Sequence, residues 1–322
     1  MAWLERTDQL IVSMQCYLPA CTLTFFILIG CLNPVIGQTH SDGKRYTDIN
    51  YGGDTNVYHR MDVHVPDDGK ELHPVIIVVY GSAFFGNNLK ATGFETLGQS
   101  LLNAGYAVVA VNHRSSRDGL FPAQIHDLKG AIRYLRANAN KYHLDPTFIG
   151  ITGYSSGGHL SSMAGTTGNQ ESYVLDGLTI DLEGSIGGNT GYSSTVDAVV
   201  DWFGPTDFLV MDSCGSEMVH DAPDSPESQL VGGAIQDNRS RCQMANPATY
   251  VDKTDPPFLI LHGDKDPLVP WCESEILYQA LLKENVPAEF IKIKGGGHGP
   301  GVIIPEHLQR MVEFFDAQLQ KQ

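Results

Sequence analysis

Phe148-Ile149-Gly150-Ile151-Thr152-Gly153-Tyr154-Ser155-Ser156-Gly157-Gly158-His159-Leu160-Ser161 is the stretch on which the fold turns. Phe148 to Thr152 is a short apolar, β-branched run, as expected of a strand buried on both faces of a parallel sheet. Gly158 to Ser161 begins a helix of small residues. Between them Gly153-Tyr154-Ser155-Ser156-Gly157 matches G-x-S-x-G. Its flanking glycines permit a crowded strand-to-helix turn that lifts the hydroxyl of Ser155 into a crevice. Five residues of this kind are a weak signal alone in a chain with 34 glycines. Their position between a strand and a helix gives the pattern its weight.

The same rhythm extends in both directions. Met61 to Val65 alternates apolar and polar residues, and Val75 to Tyr80 and Ala107 to Val111 are further buried-strand runs. Val196 to Trp202, Phe258 to His262 and Ala288 to Ile293 complete the set. Phe121 to Tyr142 reads as a helix with Phe121, Ile125, Leu128, Ile132 and Leu135 on one stripe and Asp127, Lys129, Arg133 and Arg136 on the other faces. Glu273 to Lys283 and Pro305 to Gln318 are the other clear helices. Strands alternating with helices imply an α/β architecture, a mostly parallel central sheet with helices on both faces. Ligands in such sheets bind beyond the carboxyl ends of the strands. Residues 207–246 break the alternation, being loop-rich and acidic, and read as a cap over the site or a surface excursion.

A serine hydroxyl is a weak nucleophile at neutral pH and needs a base beside it. Downstream, Leu261-His262-Gly263-Asp264-Lys265-Asp266-Pro267 and Gly295-Gly296-Gly297-His298-Gly299 each follow a strand. The candidate triad is therefore Ser155 as nucleophile, Asp264 or Asp266 as acid and His298 as base, in the chain order Ser, Asp, His. A histidine among four glycines has no apolar neighbours to pack on, which argues against a core role for His298. Acyl transfer also needs donors for an oxyanion. The amide after the nucleophile, Ser156, is one candidate. The loop Tyr80-Gly81-Ser82-Ala83-Phe84-Phe85-Gly86 supplies Ser82 or Ala83 as the other.

In these motifs the chain resembles the bacterial feruloyl- and acetyl-type carbohydrate esterases of the α/β-hydrolase fold. The resemblance covers nearly everything after the N-terminal segment. It runs through Phe121-Pro122-Ala123-Gln124-Ile125, Gly157-Gly158-His159-Leu160, Leu182-Glu183-Gly184 with Gly187-Gly188-Asn189, Asp201-Trp202-Phe203-Gly204-Pro205-Thr206-Asp207 and Ala222-Pro223-Asp224-Ser225-Pro226-Glu227-Ser228. It implies a serine esterase removing acetyl or feruloyl groups from a polysaccharide or its oligosaccharides, with no cofactor and no metal. It also places the acid at Asp266 rather than Asp264. The family usually opens the oxyanion loop with His-Gly-Gly, where this chain has Tyr80, Gly81 and Ser82, so an altered acyl preference is expected. Ser82 and the pair Phe84 and Phe85 favour a small acyl group, although the rings could equally stack on a feruloyl ring. A prolyl-oligopeptidase-like peptidase and a non-catalytic binding module share this fold. The first usually carries a large propeller for which the chain has no room, and the ordered Ser, Asp and His argue against the second. A lipase fits poorly with so polar and acidic a segment at 207–246.

At 322 residues with a formal net charge of −16, the chain is too acidic to neutralise a nucleic-acid backbone. An uncharged partner such as an esterified polysaccharide suits it better, and no protein partner is implied. From Gln9 to Gln38 there is no charged residue, and Leu18 to Leu32 is strongly apolar. Residues 1–37 therefore read as an export signal or an N-terminal anchor, and 38–322 as the catalytic domain, making the protein periplasmic or secreted. Leu28-Ile29-Gly30-Cys31 also resembles a lipoprotein box acylated at Cys31. Loss of 1–37 deletes two acids and one base, which moves the net charge only to −15. It leaves Cys214, Cys242 and Cys272. An odd count in an oxidising compartment suggests one pair and one free thiol, and Cys214 with Cys242, both in the excursion, is the expected bridge.

Overall fold

A computed structural model describes residues 43–321. The signal or anchor read at 1–37, and Cys31 within it, lie outside the described residues. No described helix is long and apolar enough to cross a membrane.

Among the described residues ten strands form: β1 Lys44–Asn50, β2 Arg60–Val65, β3 His73–Val79, β4 Ala107–Val111, β5 Leu144–Tyr154, β6 Ser172–Leu175, β7 Leu178–Asp181, β8 Ala198–Trp202, β9 Phe258–Gly263 and β10 Ala288–Ile293. Eight of them make one sheet in the order β1-β2-β4-β3-β5-β8-β9-β10, with β6 and β7 a separate hairpin. In the large sheet β1 and β2 are antiparallel, β2 runs against β4, and every other pair is parallel, while β6 and β7 are antiparallel. This is the sheet of an α/β-hydrolase. The expected strands all form. β1 and the β6–β7 hairpin are additions, both half-exposed and mixed in composition, so neither carries the buried-run signal.

The sheet's pleat sorts its side chains onto two faces. Val75, Ile77 and Val79 of β3 join one cluster, while Ile76 and Val78 join the other. Helices α3 Ala123–Ala137, α4 Ser156–Thr166 and α7 Cys272–Lys283 cover the first face with Ile125, Leu128, Ile132, Leu160, Met163, Leu277 and Leu281. On the second lie α1 Lys90–Gly93 and α2 Gln99–Asn103, joined by a π-helical turn over Phe94–Gly98, together with α8 Pro305–Leu319. Leu97, Leu101, Met311 and Phe315 pack there. Residues 207–246 fold over the sheet's end and contain the short helices α5 Pro226–Val231 and α6 Arg239–Met244.

One expectation for α3 is corrected. Ile125, Leu128, Ile132 and Leu135 are buried as the stripe requires, but Asp127, Lys129 and Arg133 are fully buried too. The loops that follow β7 and precede β2 cover that side of the helix and bring each charge a partner. Asp127 accepts from Arg114 Nη2 at 2.6 Å and faces His59 Nε2 at 3.1 Å. Lys129 donates to Thr167 O at 2.7 Å and pairs with Glu183 at 3.2 Å, and Arg133 bonds the same Glu183. Buried charges are tolerated when paired and hydrogen-bonded, so helical periodicity alone misjudges them.

Candidate active site

Ser155 stands in the turn between β5 and α4 with φ 55° and ψ −127°, a backbone state that few residues other than glycine adopt. Its surroundings over-determine that state. The Ser155 N–H donates to Trp202 O at 2.9 Å. A Cβ at Gly157 would lie 2.3 Å from Val79 O, so only glycine lets α4 start so close to β3. A Cβ at Gly81 would meet Tyr154 O at 2.7 Å and Ser155 Cβ at 2.9 Å. The loop after β3 can therefore close on Ser155.

The three expected side chains come together from the carboxyl ends of β5, β9 and β10. His298 Nε2 lies 2.9 Å from Ser155 Oγ, and His298 Nδ1 lies 2.7 Å from Asp266 Oδ2. With Nδ1–H donated to the carboxylate, Nε2 is left to accept from the serine hydroxyl. Asp266 Oδ1 accepts the amides of Leu268 at 2.9 Å and Val269 at 3.0 Å. Burial would raise the Asp266 carboxyl, but hydrogen bonds from His262 and His298 outweigh it and hold the group well below the usual carboxylate range. Asp264 points elsewhere, accepting the Gly295 amide at 2.7 Å.

His262 was not singled out by sequence, because a histidine ending a strand looks like any other. Its Nε2 lies 3.4 Å from Asp266 Oδ2 and donates to Val269 O at 2.8 Å, and its Nδ1 meets Ser274 Oγ at 2.7 Å. It braces the acid loop from beneath. Phe203, at φ 45°, lays its ring edge against His298 with centroids 4.8 Å apart.

In the loop after β3, the Ser82 N–H donates to Ser156 Oγ at 2.8 Å. That amide is thus engaged within the protein. The Ala83 N–H has no such partner among the described residues, and Ser156, as the first residue of α4, has none a turn earlier. Ala83 and Phe84 both have positive φ, 50° and 63°. The buried Phe84 ring anchors them against His159 and Phe208.

A cleft of about 390 Å³ opens over Ser155 and His298. Phe84, Phe203, Pro205, Met218, Leu268, Val269 and Ile303 give it an apolar wall, with Tyr154, His220 and Glu227 as the titratable side chains besides His298. Residues 207–246 are therefore a cap, since Met218, His220, Pro226 and Glu227 come from them. Phe85 does not line the cleft; its ring lies under Arg117, 5.4 Å from the guanidinium carbon. The size argument for a small acyl group thus loses one of its two rings.

The cysteine expectation is overturned. Cys214 is bonded to Cys272 across a Cα–Cα distance of 6.4 Å, and Cys242 is the free, buried thiol. Glu217 N donates to Pro267 O at 2.8 Å and Ser216 Oγ to Leu268 O at 2.8 Å, which lays the cap on the acid loop and brings Cys214 to the start of α7. Cys242 instead faces the core from α6, 1% exposed, its thiol 3.6 Å from Ile235 O. Nearness in sequence was the wrong guide. Cys214, Cys272 and Glu273 also bring three metal-type donors within 4.8 Å, but the two sulfurs are bonded to each other and offer no thiolate.

Comparison with known proteins agrees with this geometry. The BD-FAE family model matches residues 61–281. A truncated form of a carbohydrate esterase from gut microbiota is 43% identical, superposes with a TM-score of 0.83, and is matched over 88% of this chain and 98% of that one. A bifunctional GH43-CE protein of Bacteroides eggerthii is 47% identical with a TM-score of 0.82, over 85% of this chain and 38% of that one. Esterase LipC of Mycobacterium tuberculosis is 30% identical over 227 residues, 70% of this chain and 53% of that protein. The chain spans about half the length of the curated relatives it matches.

Proposed function

The chain belongs to the BD-FAE family, and from that premise we propose that it is a serine ester hydrolase acting on acetyl or feruloyl esters of a neutral polysaccharide or its oligosaccharides. The observation that carries the activity is the continuous chain Ser155 Oγ, His298 Nε2, His298 Nδ1, Asp266 Oδ2, with links of 2.9 and 2.7 Å. His298 takes the Ser155 proton as Oγ attacks the ester carbonyl, and Asp266 stabilises the imidazolium that forms. The amides of Ala83 and Ser156 receive the oxyanion, each such donor contributing roughly 2.7–4 kcal/mol. Imidazolium then protonates the departing alcohol, and water, deprotonated by the same ring, releases the acid from Ser155. The substrate class is supported by the carbohydrate esterases among the similar structures and by the chain's net charge of −16, which suits an uncharged polymer. Export, read from residues 1–37, would bring it to such polymers.

The test is turnover of an aryl acetate beside acetate and ferulate release from acetylated xylan and feruloylated arabinoxylan. Ser155→Ala should lower kcat by roughly 10⁴-fold or more while leaving the melting temperature near that of the parent. Near-normal turnover by the variant removes the nucleophile. Efficient triglyceride cleavage with no acid released from either polymer removes the carbohydrate assignment and keeps the esterase.

A further inference from the structure

Glu227 and His220 face the same cleft as Ser155, yet the reaction above gives them no part. Both are almost fully buried, at 4% and 2% exposure. The ring of His220 is held on every polar edge: Nδ1 against Glu227 Oε2 at 2.9 Å, Nε2 against Leu268 O at 2.9 Å and Ser216 Oγ at 3.0 Å. The backbone N–H of His220 is donated to Asp212 Oδ1 at 2.7 Å. Glu227 therefore commits one carboxylate oxygen to a fixed ring. The other, Oε1, takes no donor from the protein among the described residues.

That oxygen is not sealed away in the core but opens on the cleft, where a bound molecule can donate to it. The pair is also registered to the triad. Leu268 offers its carbonyl to His220 and its N–H to Asp266 Oδ1 at 2.9 Å, and Asp266 holds His298. The Cys214–Cys272 bond and the Ser216 contacts fix the cap segment that carries His220.

We propose that Glu227 Oε1 is a specificity determinant that accepts a hydroxyl of the bound ester. The inference rests on the ester-hydrolase reading of the same site. A carboxylate is acceptor-only when ionised, so it favours an O–H donor and disfavours an ether or alkyl group in the same place. Two parts of the substrate offer such a donor: a sugar hydroxyl on the alcohol side, or the phenol of a feruloyl group on the acyl side.

The experiment compares matched pairs of esters that differ in that hydroxyl. Acetylated xylobiose is set against the same acetylated xylobiose with its free hydroxyls O-methylated, and methyl ferulate against its 4-O-methyl ether. The parent enzyme should favour the hydroxylated member of one pair, and Glu227→Met should cut that kcat/KM ratio by roughly tenfold or more. Glu227→Gln, which keeps a partner for His220 and so guards against a folding failure, should cut it by less. Loss of selectivity confined to the xylobiose pair assigns the sugar side, and loss confined to the ferulate pair assigns the acyl side. Ratios unchanged in both pairs, in folded variants that still hydrolyse the esters, would overturn the proposal. A parent enzyme that cleaves none of the four would instead overturn the esterase reading beneath it.

Discussion

At the residue scale, Asp264 and Asp266 stand two positions apart and have separate partners. Asp266 holds His298 and two backbone amides, whereas Asp264 holds only the Gly295 amide. Asp266→Asn replaces the acceptor of Nδ1–H by a group that favours the wrong tautomer, so kcat should fall by about 10⁴-fold. Asp264→Asn keeps an oxygen for Gly295 N and should stay within about tenfold of the parent. Steady-state turnover of one aryl ester by both variants checks this, and a larger loss at Asp264 exchanges their roles. Ser155, His298 and the acid pair Asp264 and Asp266 were readable because each follows a strand signal in the required order. The loop after β3 was less so. Which of its amides turns inward depends on consecutive positive φ values at Ala83 and Phe84, and neither residue type announces that conformation.

At the scale of elements, the contacts that escaped the sequence join segments far apart in the chain. The Cys214–Cys272 bond closes 58 residues and ties the cap to α7, which should stabilise the fold by roughly 4 kcal/mol through the unfolded chain's lost entropy. Peptide mapping without reductant should recover the Cys214 and Cys272 peptides joined, and reductant should lower the melting temperature. A joined peptide containing Cys242 would contradict the arrangement. Beside this bond, Glu273 is fully buried in the first turn of α7. Its Oε2 accepts the amides of Thr206 at 2.7 Å and Asp207 at 2.6 Å, pinning the loop that follows β8. Burial pushes its carboxyl up to about 8, against the pull of those two amides, from an ordinary 4.5. The folded state thus keeps a proton that the unfolded chain releases. Its contribution is full below about pH 4.5 and is lost as pH rises towards about 8. Glu273→Gln cannot ionise, so the melting temperature of the parent should fall relative to this variant by several degrees between pH 5 and 8, at roughly 2–4 °C per kcal/mol. Parallel curves for the two proteins would contradict a protonated Glu273. The charged residues of α3 make the same point about legibility: the stripe of Ile125, Leu128 and Ile132 was visible in the sequence, whereas the loops that bury Asp127, Lys129 and Arg133 were not.

At the scale of the whole molecule, the parallel run of five adjacent pairs from β4 to β10 places the ends of β5, β9 and β10 on one rim. A buried parallel strand must be nearly all apolar, and that demand made the central strands β3, β4, β5, β8 and β9 legible as apolar runs. The same topology gathers Ser155, Asp266 and His298, which are up to 143 residues apart in sequence, around one cleft. The most direct measurement is covalent: react the enzyme with an alkyl fluorophosphonate, follow aryl-ester turnover, and map the adduct by peptide mass. If Ser155 is the nucleophile, one phosphonyl group per chain should appear on the peptide that carries Ser155, in step with the loss of turnover. Full turnover by a protein labelled at Ser155, or loss of turnover with the label on another residue, would contradict the assignment.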